Sequence, residues 1–357
     1  MNSSINMKWI RWDSASITEE EIEAALGSLS QGFESPGVNV VRAEVEFKAR
    51  IGCSDAILVC NGTAALLTLL FAIREKYPEI SRVAVPSFTF IASYNAVKTV
   101  FPEINLIDCD LETWNICPEF ILEKVDLVLL VDVGGQPCIY DRFPQSDCLI
   151  IADSAESLGS TIDGQEIGSQ LMGHTFSFQR SKLISCGEGG LITLQDNDLA
   201  DICRSVMNHG YASNKKFHEY KYDRFGLNFR MNDVQAAILS AQLKKLDKFI
   251  ARRRTIATWY ENALSSKFGL QKIDSRVSSN RFFFGILLDS PVQDKFAQHM
   301  EALGIKVKCW SSVTKSLKKV NSLNNSEFLS ERNVLLPIHN DLTDAEVERV
   351  IEACLSF

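Results

Sequence analysis

The sequence predicts an α/β protein in which a mostly parallel central sheet is flanked by helices and followed by a smaller C-terminal α+β domain. Short apolar runs alternate with helix-forming segments over most of the chain, as in parallel strands joined by crossover helices. At 357 residues the chain is also longer than a single core usually supports. An amphipathic pattern from about 233 to 264 predicts one long helix that joins a large domain, 1–245, to a small one, 246–357.

The composition argues against several classes of protein. A net charge of -8 disfavours polyanion partners, and the basic run 252–254 falls in a helical pattern typical of a solvated face. The first residues lack a signal-peptide pattern, and no apolar run reaches membrane-spanning length. Ten scattered cysteines without a CxxC pair or zinc-type histidine spacing indicate reduced, buried thiols. We therefore expect a cytoplasmic protein with no metal and no nucleic-acid or membrane partner.

The first elements are helical. Residues 16–29 begin with a serine, a threonine and three glutamates, which is typical of a helix start. A second helix is predicted over 41–51, with Gly52 ending it. The short strand 57–60 follows, and Asn61-Gly62-Thr63 leads from it into a helix that reaches about Glu75. Free N–H groups and the helix dipole at such a turn can bind phosphate, although plain N-capping is the commoner use of this pattern.

Four further apolar runs predict buried strands at 83–86, 105–108, 127–131 and 149–152. Phe90 follows the first of them and either stacks on a flat ligand or packs in the core. Asp153 follows the last. Ligands of open α/β sheets lie at the carboxyl ends of the strands, so Asp153 is a candidate ligand contact, with a helix cap or turn as the alternative.

The segment 175–190 is the strongest candidate for the reactive site. It is predicted as strand, loop and strand, with Lys182 on the loop and a glycine pair at its end. A lysine amine among apolar neighbours can act as a nucleophile and form a Schiff base, whereas a solvated loop lysine is the simpler alternative. Beyond it, strands are predicted over 281–288, 305–308 and 334–336, with helices over 294–303 and 343–354.

Four features occur in order along the chain, and together they match the requirements of pyridoxal 5′-phosphate. They are a Gly-Thr helix start, an aromatic residue at a strand exit, an aspartate at a strand end and a loop lysine. The cofactor needs a phosphate cradle, a stacking face, a carboxylate for its pyridine nitrogen and a lysine for its aldehyde.

The sequence resembles the DegT and StrS group of sugar aminotransferases, which are fold-type I pyridoxal phosphate enzymes. The resemblance covers nearly the whole chain. Its most specific part is Phe176-Ser177-Phe178 with Lys182 and the Gly-Glu-Gly-Gly run 187–190. Segments 61–66, 86–90, 135–137, 153–159, 335–339 and 342–347 are also similar to family motifs.

The resemblance implies a role for each matching residue. Lys182 would form the Schiff base and move the proton between substrate and cofactor, Asp153 would pair with the pyridine nitrogen and Glu156 would lie near the ring hydroxyl. The other implied contacts to the cofactor are the phosphate ligands Gly62, Thr63, Ala64 and Ser177, the stacking residue Phe90, and Asn228 from a neighbouring subunit. The working unit would thus be at least a homodimer with shared active sites.

The implied reaction is a transamination from L-glutamate to a keto-sugar, through pyridoxamine 5′-phosphate. The short spacing from Lys182 to the Gly-Glu-Gly-Gly run is similar to members that aminate the C4 ketone of a nucleotide-linked 4-keto-6-deoxyhexose. Segment 309–313 stands where many members carry His-Tyr-Pro, which leaves a keto-octulosonate or keto-inositol as alternative substrates. Related dehydratases have histidine at the position of Lys182, so the lysine in this sequence argues against a dehydratase. A regulator that kept only the fold is a further alternative.

Overall fold

The computed structural model describes residues 8–32, 36–144, 148–212, 220–317 and 323–357. In those ranges the strands are β1 Asp55–Val59, β2 Arg82–Pro86, β3 Glu103–Ile107, β4 Leu127–Val131, β5 Leu149–Asp153, β6 Thr161–Ile162, β7 Gln165–Glu166, β8 Gly173–Ser177, β9 Gly190–Leu194, β10 Gly269–Leu270, β11 Val277–Ser278, β12 Phe284–Leu287 and β13 Asn333–Leu336. The α-helices are α1 Glu19–Ser30, α2 Val38–Ile51, α3 Gly62–Lys76, α4 Ile91–Val100, α5 Asn197–Val206, α6 Asp233–Leu243, α7 Leu246–Leu264, α8 Gln293–Ala302, α9 Val313–Leu317, α10 Asn324–Arg332 and α11 Asp344–Ser356.

A seven-stranded sheet forms the centre of the protein, in the order β1-β9-β8-β5-β4-β2-β3. The five strands β3, β2, β4, β5 and β8 each pair in parallel with the next one in that order. Strand β9 runs antiparallel to both β8 and β1. The predicted mostly parallel sheet is therefore confirmed. The apolar runs of its strands follow from burial on both faces, because helices cover each side.

Alternate residues of each strand enter two separate cores. In β4, Val128 and Leu130 pack on the side of α2 and α6, whereas Leu127 and Leu129 pack on the side of α3, α4 and α5. The two-residue period of a strand places successive side chains on opposite faces, so a continuous apolar run fills both cores at once. This packing fixes the carboxyl ends of β5 and β8 next to the start of α3.

The C-terminal part has its own antiparallel sheet, β10-β12-β13, and a third core that includes Tyr260, Phe296 and Val350. The prediction of a strand over 305–308 is wrong in detail. Ile305 and Lys308 form isolated bridges, to Ile10 and Leu335 respectively, so this segment links the start of the chain to β13.

The single helix predicted over 233–264 is also wrong, because α6 and α7 are separated at Lys244 and Lys245. The Lys245 N–H donates to the Gln242 carbonyl three residues back, which tightens the chain locally. The Gln242 side chain is buried and bonds to Ser185 N–H, and the Lys245 ammonium pairs with Glu21. These tertiary contacts override a helical pattern that is continuous in sequence. The division into domains at 245 stays a prediction.

Two sequence-based exclusions can be compared with the described residues. All ten cysteines are free, and most are buried, as predicted. Within the described ranges no cluster of acidic, histidine and cysteine side chains is arranged to hold a metal, and none of the helices there has the length and apolar character needed to cross a bilayer.

Candidate active site

A cavity of about 690 Å³ opens at the carboxyl ends of β5 and β8. Its lining includes eight of the nine residues that the sequence analysis selected, namely Gly62, Thr63, Ala64, Phe90, Asp153, Glu156, Ser177 and Lys182. A parallel sheet brings these positions together because the ends of its strands share one edge, although they come from distant parts of the chain. The ninth residue, Asn228, lies elsewhere.

The start of α3 forms one wall of the cavity. The Asn61 side chain caps the helix by accepting a hydrogen bond from the Ala64 N–H at 2.8 Å, so that amide is already used. The N–H groups of Gly62 and Thr63 have no acceptor among the residues that the structure describes. A Cβ at Gly62 would lie 2.8 Å from the Cβ of Ser177, so glycine is required for this close approach. The wall therefore combines free amides, the positive end of a helix and a serine hydroxyl, which suits a phosphate group.

Asp153 lies at the end of β5 and is 7% exposed. Its Oδ2 accepts a hydrogen bond from the Ser93 hydroxyl at 2.7 Å, and its Oδ1 accepts one from the Ala155 N–H at 3.2 Å. Burial raises the pKa of Asp153, and the Ser93 hydrogen bond and the charge of Lys182 oppose that rise. A buried carboxylate with few donors gains from a cationic partner, such as a protonated ring nitrogen.

Lys182 and Glu156 form an ion pair on the cavity floor. The Lys182 Nζ lies 3.3 Å from Glu156 Oε1, and the second oxygen of Glu156 accepts the Gly134 N–H at 3.0 Å. Burial raises the pKa of Glu156, while the charge of Lys182 lowers it. Gly134 has φ +72°, and a Cβ there would meet the Phe283 ring at 2.7 Å. The ion pair with buried Glu156 holds Lys182 in place, which argues against the alternative of a solvated loop lysine.

A third buried carboxylate, Asp132, lies behind the floor and organises the turn that carries Asp153 and Glu156. Its Oδ2 accepts hydrogen bonds from the hydroxyls of Ser154 and Ser157 at 2.7 Å and of Tyr140 at 2.9 Å, and its Oδ1 accepts the Cys138 N–H at 3.0 Å. Burial raises the pKa of Asp132 to about 6 despite these bonds.

Aromatic side chains form the upper walls. Phe90 is 61% exposed at the start of α4, so it is not a core residue. Trp12, Phe282, Phe283 and Trp310 also line the cavity, and the Phe282 ring centroid lies 4.6 Å from the Lys182 ammonium. Flat apolar faces of this kind suit a planar ring and the C–H faces of a sugar.

Asn228 does not line the cavity of its own chain. It forms an isolated bridge with Asn208, and the carbonyl of the next residue, Phe229, accepts the Cys60 N–H at 2.8 Å. Asn228 is thus close in sequence to a lining residue but is separate from the cavity. Its expected contact with a cofactor of a neighbouring subunit stays a prediction.

Sequence reasoning missed several residues of the site. Ser93, Gly134 and Asp132 act on Asp153, Glu156 or the turn between them, and no local motif distinguishes them from ordinary polar residues. Trp12 and Lys308 also line the cavity, from opposite ends of the chain. The aromatic run 282–284 is a local signal for the aromatic wall, although its pattern predicts only a strand.

These residues fit pyridoxal 5′-phosphate on the chemistry of the donors. The cavity holds a lysine amine, a buried carboxylate with too few donors, unpartnered helix N–H groups and an exposed aromatic face. Each matches one part of that cofactor. The fold and the site therefore define a lysine-dependent pyridoxal phosphate enzyme.

The chain belongs to the DegT/DnrJ/EryC1/StrS aminotransferase family, whose model matches residues 15–355. It is a pyridoxal phosphate-dependent sugar aminotransferase, and the expected family and fold are confirmed. The lysine at position 182 and this membership argue against a regulator that kept only the fold.

Two relatives agree with this assignment, and a solved structure agrees with the fold. The chain is 31% identical to GDP-perosamine synthase of Caulobacter vibrioides over 90% of each chain. It is 29% identical to dTDP-4-dehydro-2,3,6-trideoxy-D-glucose 4-aminotransferase of Saccharopolyspora spinosa, over 93% of this chain and 92% of the relative. The structure of Helicobacter pylori PseC, an aminotransferase involved in the biosynthesis of pseudoaminic acid, superimposes with a TM-score of 0.92 at 21% identity, over 98% of this chain and 99% of that one.

Proposed function

We propose that this enzyme transfers the amino group of L-glutamate to the C4 ketone of a nucleotide-linked 4-keto-6-deoxyhexose, for the synthesis of a surface polysaccharide or related glycan. The observation that carries the proposal is the Lys182–Glu156 pair beside buried Asp153, below a cavity of about 690 Å³. That volume is in the range of sites for small molecules and leaves room above a cofactor for a sugar. The names of two relatives support a nucleotide-linked substrate, and one of them supports a 4-keto group.

Each residue has a defined task in this proposal. Bound pyridoxal 5′-phosphate supplies the electron-withdrawing ring that stabilises negative charge on the reacting carbon. The Lys182 amine takes a proton from that carbon or returns one, and Glu156 orients the amine. Asp153 would pair with the ring nitrogen, Phe90 would cover the ring, and the start of α3 with Ser177 would bind the phosphate.

The first experiment follows the visible spectrum of purified, cofactor-loaded protein after addition of L-glutamate, beside Lys182→Ala. We expect wild type to lose its visible band as the cofactor gains the amino group, and the variant to lack the lysine-linked band from the start. Subsequent addition of a GDP- or dTDP-linked 4-keto-6-deoxyhexose should restore the band in wild type. An unchanged wild-type spectrum in glutamate would exclude this donor. Restoration only by a keto-sugar without a nucleotide would exclude the substrate class.

We also propose a homodimer in which Asn228 of the partner subunit reaches the cofactor phosphate. Its position outside its own cavity supports this arrangement. So do the exposed apolar side chains Ile22, Leu26, Val41 and Val45 on α1 and α2, because such surfaces usually mark interfaces.

Mixing inactive Lys182→Ala with weakened Asn228→Ala tests this sharing. Heterodimers would contain one site with both native residues, so the mixture should be more active than either variant alone. A monomer by light scattering, or a mixture no better than its components, would refute the proposal.

A further inference from the structure

Lys308 is a second cation of the cavity, and the reaction described above does not use it. Among the described residues that line the cavity, the cationic side chains are Lys182 on the floor and Lys308 near the opening. The Lys182 side chain is 17% exposed and that of Lys308 is 50% exposed. The two ammonium groups therefore occupy different depths of one pocket.

Each ammonium group lies over one ring of a pair of neighbouring aromatic side chains. Lys182 Nζ lies 4.6 Å from the Phe282 ring centroid, which lies 6.3 Å from that of Trp12. Lys308 Nζ lies 3.9 Å from the Trp12 centroid. Both cations therefore lie along one aromatic wall of the cavity, and a ligand placed against that wall can contact both.

The Lys308 ammonium has no hydrogen-bond acceptor among the residues that the structure describes. Its nearest carboxylate oxygen, Asp13 Oδ2, is 4.0 Å away, which is too far for a hydrogen bond. The other oxygen of Asp13 accepts the Arg180 guanidinium at 2.9 Å. One carboxylate thus faces two cations, and the three N–H donors of Lys308 stay available.

The electrostatic environment agrees with an anion site. Burial lowers the pKa of Lys308, Asp13 opposes this, and the positive charges of Lys182 and Arg180 lower it further. An anion placed between these like charges would relieve their repulsion. The backbone holds Lys308 rigidly, because its N–H and carbonyl both bond to Leu335 of β13.

We propose that Lys308 binds the negatively charged end of a substrate whose other end reacts at Lys182. This inference rests on the proposed function, which offers two such anions. They are the diphosphate of a nucleotide-linked sugar and the distal carboxylate of glutamate. Both present oxygens to an ammonium group, and both lie several bonds from the reacting carbon.

Lys308→Gln removes the charge and keeps much of the side chain, while Lys308→Arg keeps the charge. Lys306→Gln is a matched control, since Lys306 lies two residues away on the same segment, is also 50% exposed, faces the Trp9 ring and already pairs with Glu301. Lys306 does not line the cavity.

The assay is calorimetric binding to the cofactor-loaded enzyme, with GDP, dTDP and glutarate as separate probes. We expect Lys308→Gln to weaken the binding of a nucleoside diphosphate about ten-fold, because one charge-assisted hydrogen bond is lost. Lys308→Arg should bind it about as tightly as wild type. The difference should shrink as salt is added. If only the binding of GDP and dTDP is weakened, the anion that Lys308 binds is the diphosphate. Weakening confined to glutarate assigns it to the donor carboxylate.

Unchanged binding of all three probes, or an equal loss in Lys306→Gln, would overturn the inference. The failure of the proposed function has a separate signature, because it would appear in wild type as no spectral response to glutamate and a keto-sugar. Binding of GDP, dTDP and glutarate requires no turnover. A defect at Lys308 can therefore be distinguished from an incorrect reaction.

Discussion

Replacement of Asp132 by asparagine tests whether a charged carboxylate is held in the interior behind the active site. Asp132 is fully buried, and burial raises its pKa from the usual 3.8 to about 6. A carboxyl group whose folded pKa exceeds its unfolded value contributes stability that is present below the unfolded pKa. That contribution is lost as the pH rises through the folded pKa.

The size of the effect follows from this shift. A difference of about two pKa units corresponds to about 3 kcal/mol of unfolding free energy, of which roughly half falls between pH 5 and pH 8. Asp132→Asn does not ionise, so it should escape this loss. We expect the stability of the variant relative to wild type to increase by about 1 to 2 kcal/mol from pH 5 to pH 8.

The substitution also has a second effect on the free energy of unfolding, which is destabilising and does not change with pH. One amide oxygen cannot replace Oδ2 for the three hydroxyls of Tyr140, Ser154 and Ser157. Its NH2 group would also face the Cys138 N–H if that oxygen took the place of Oδ2. We therefore expect the variant to be less stable than wild type at pH 5 and closer to it at pH 8.

Urea unfolding of the two cofactor-free proteins at pH 5, 6, 7 and 8 measures the difference. Other titrating groups are common to both proteins and cancel in the comparison. A difference in unfolding free energy that stays the same at all four pH values would refute the reasoning, because Asp132 would then ionise in the folded protein as it does in the unfolded chain.

Three further variants test the cofactor contacts through the dissociation constant of pyridoxal 5′-phosphate, measured by spectral titration. Gly62→Ala should weaken binding about ten-fold, since its Cβ would lie 2.8 Å from the Cβ of Ser177 and displace one wall of the phosphate cradle. Ser93→Ala should weaken it roughly ten-fold, because Asp153 loses the 2.7 Å hydrogen bond that stabilises its ionised form. Phe90→Ala should weaken it roughly three- to ten-fold through the loss of an exposed stacking face.

Each of these variants has a control elsewhere in the fold. Gly27→Ala lies in α1 with open space around its Cβ, Ser87→Ala removes an equally buried hydroxyl that bonds to Thr314, and Phe120→Ala removes a half-exposed ring. These controls should bind the cofactor as wild type does. A control that weakens binding as much as its partner would mean that the effect is general destabilisation.

The sequence by itself determined the parts of this protein that depend on neighbouring residues. The apolar runs predicted the strands of the central sheet, because a strand buried on both faces needs apolar side chains at every position. Gly62 at the helix start and Lys182 on the loop after β8 were also identified locally. Turn and capping chemistry is encoded within a few residues, so such features survive without knowledge of the fold.

Tertiary structure alone decided which distant residues meet around those elements. The Trp12 indole N–H donates to the Leu335 carbonyl, and the Ser93 hydroxyl donates to Asp153. The buried Gln242 side chain, near the end of α6, accepts the Ser185 N–H. Contacts between residues far apart in the chain leave no periodic pattern, because each partner need only be polar or aromatic at one position. The reactive lysine could therefore be identified from sequence, while the walls of its pocket and the second cation could not.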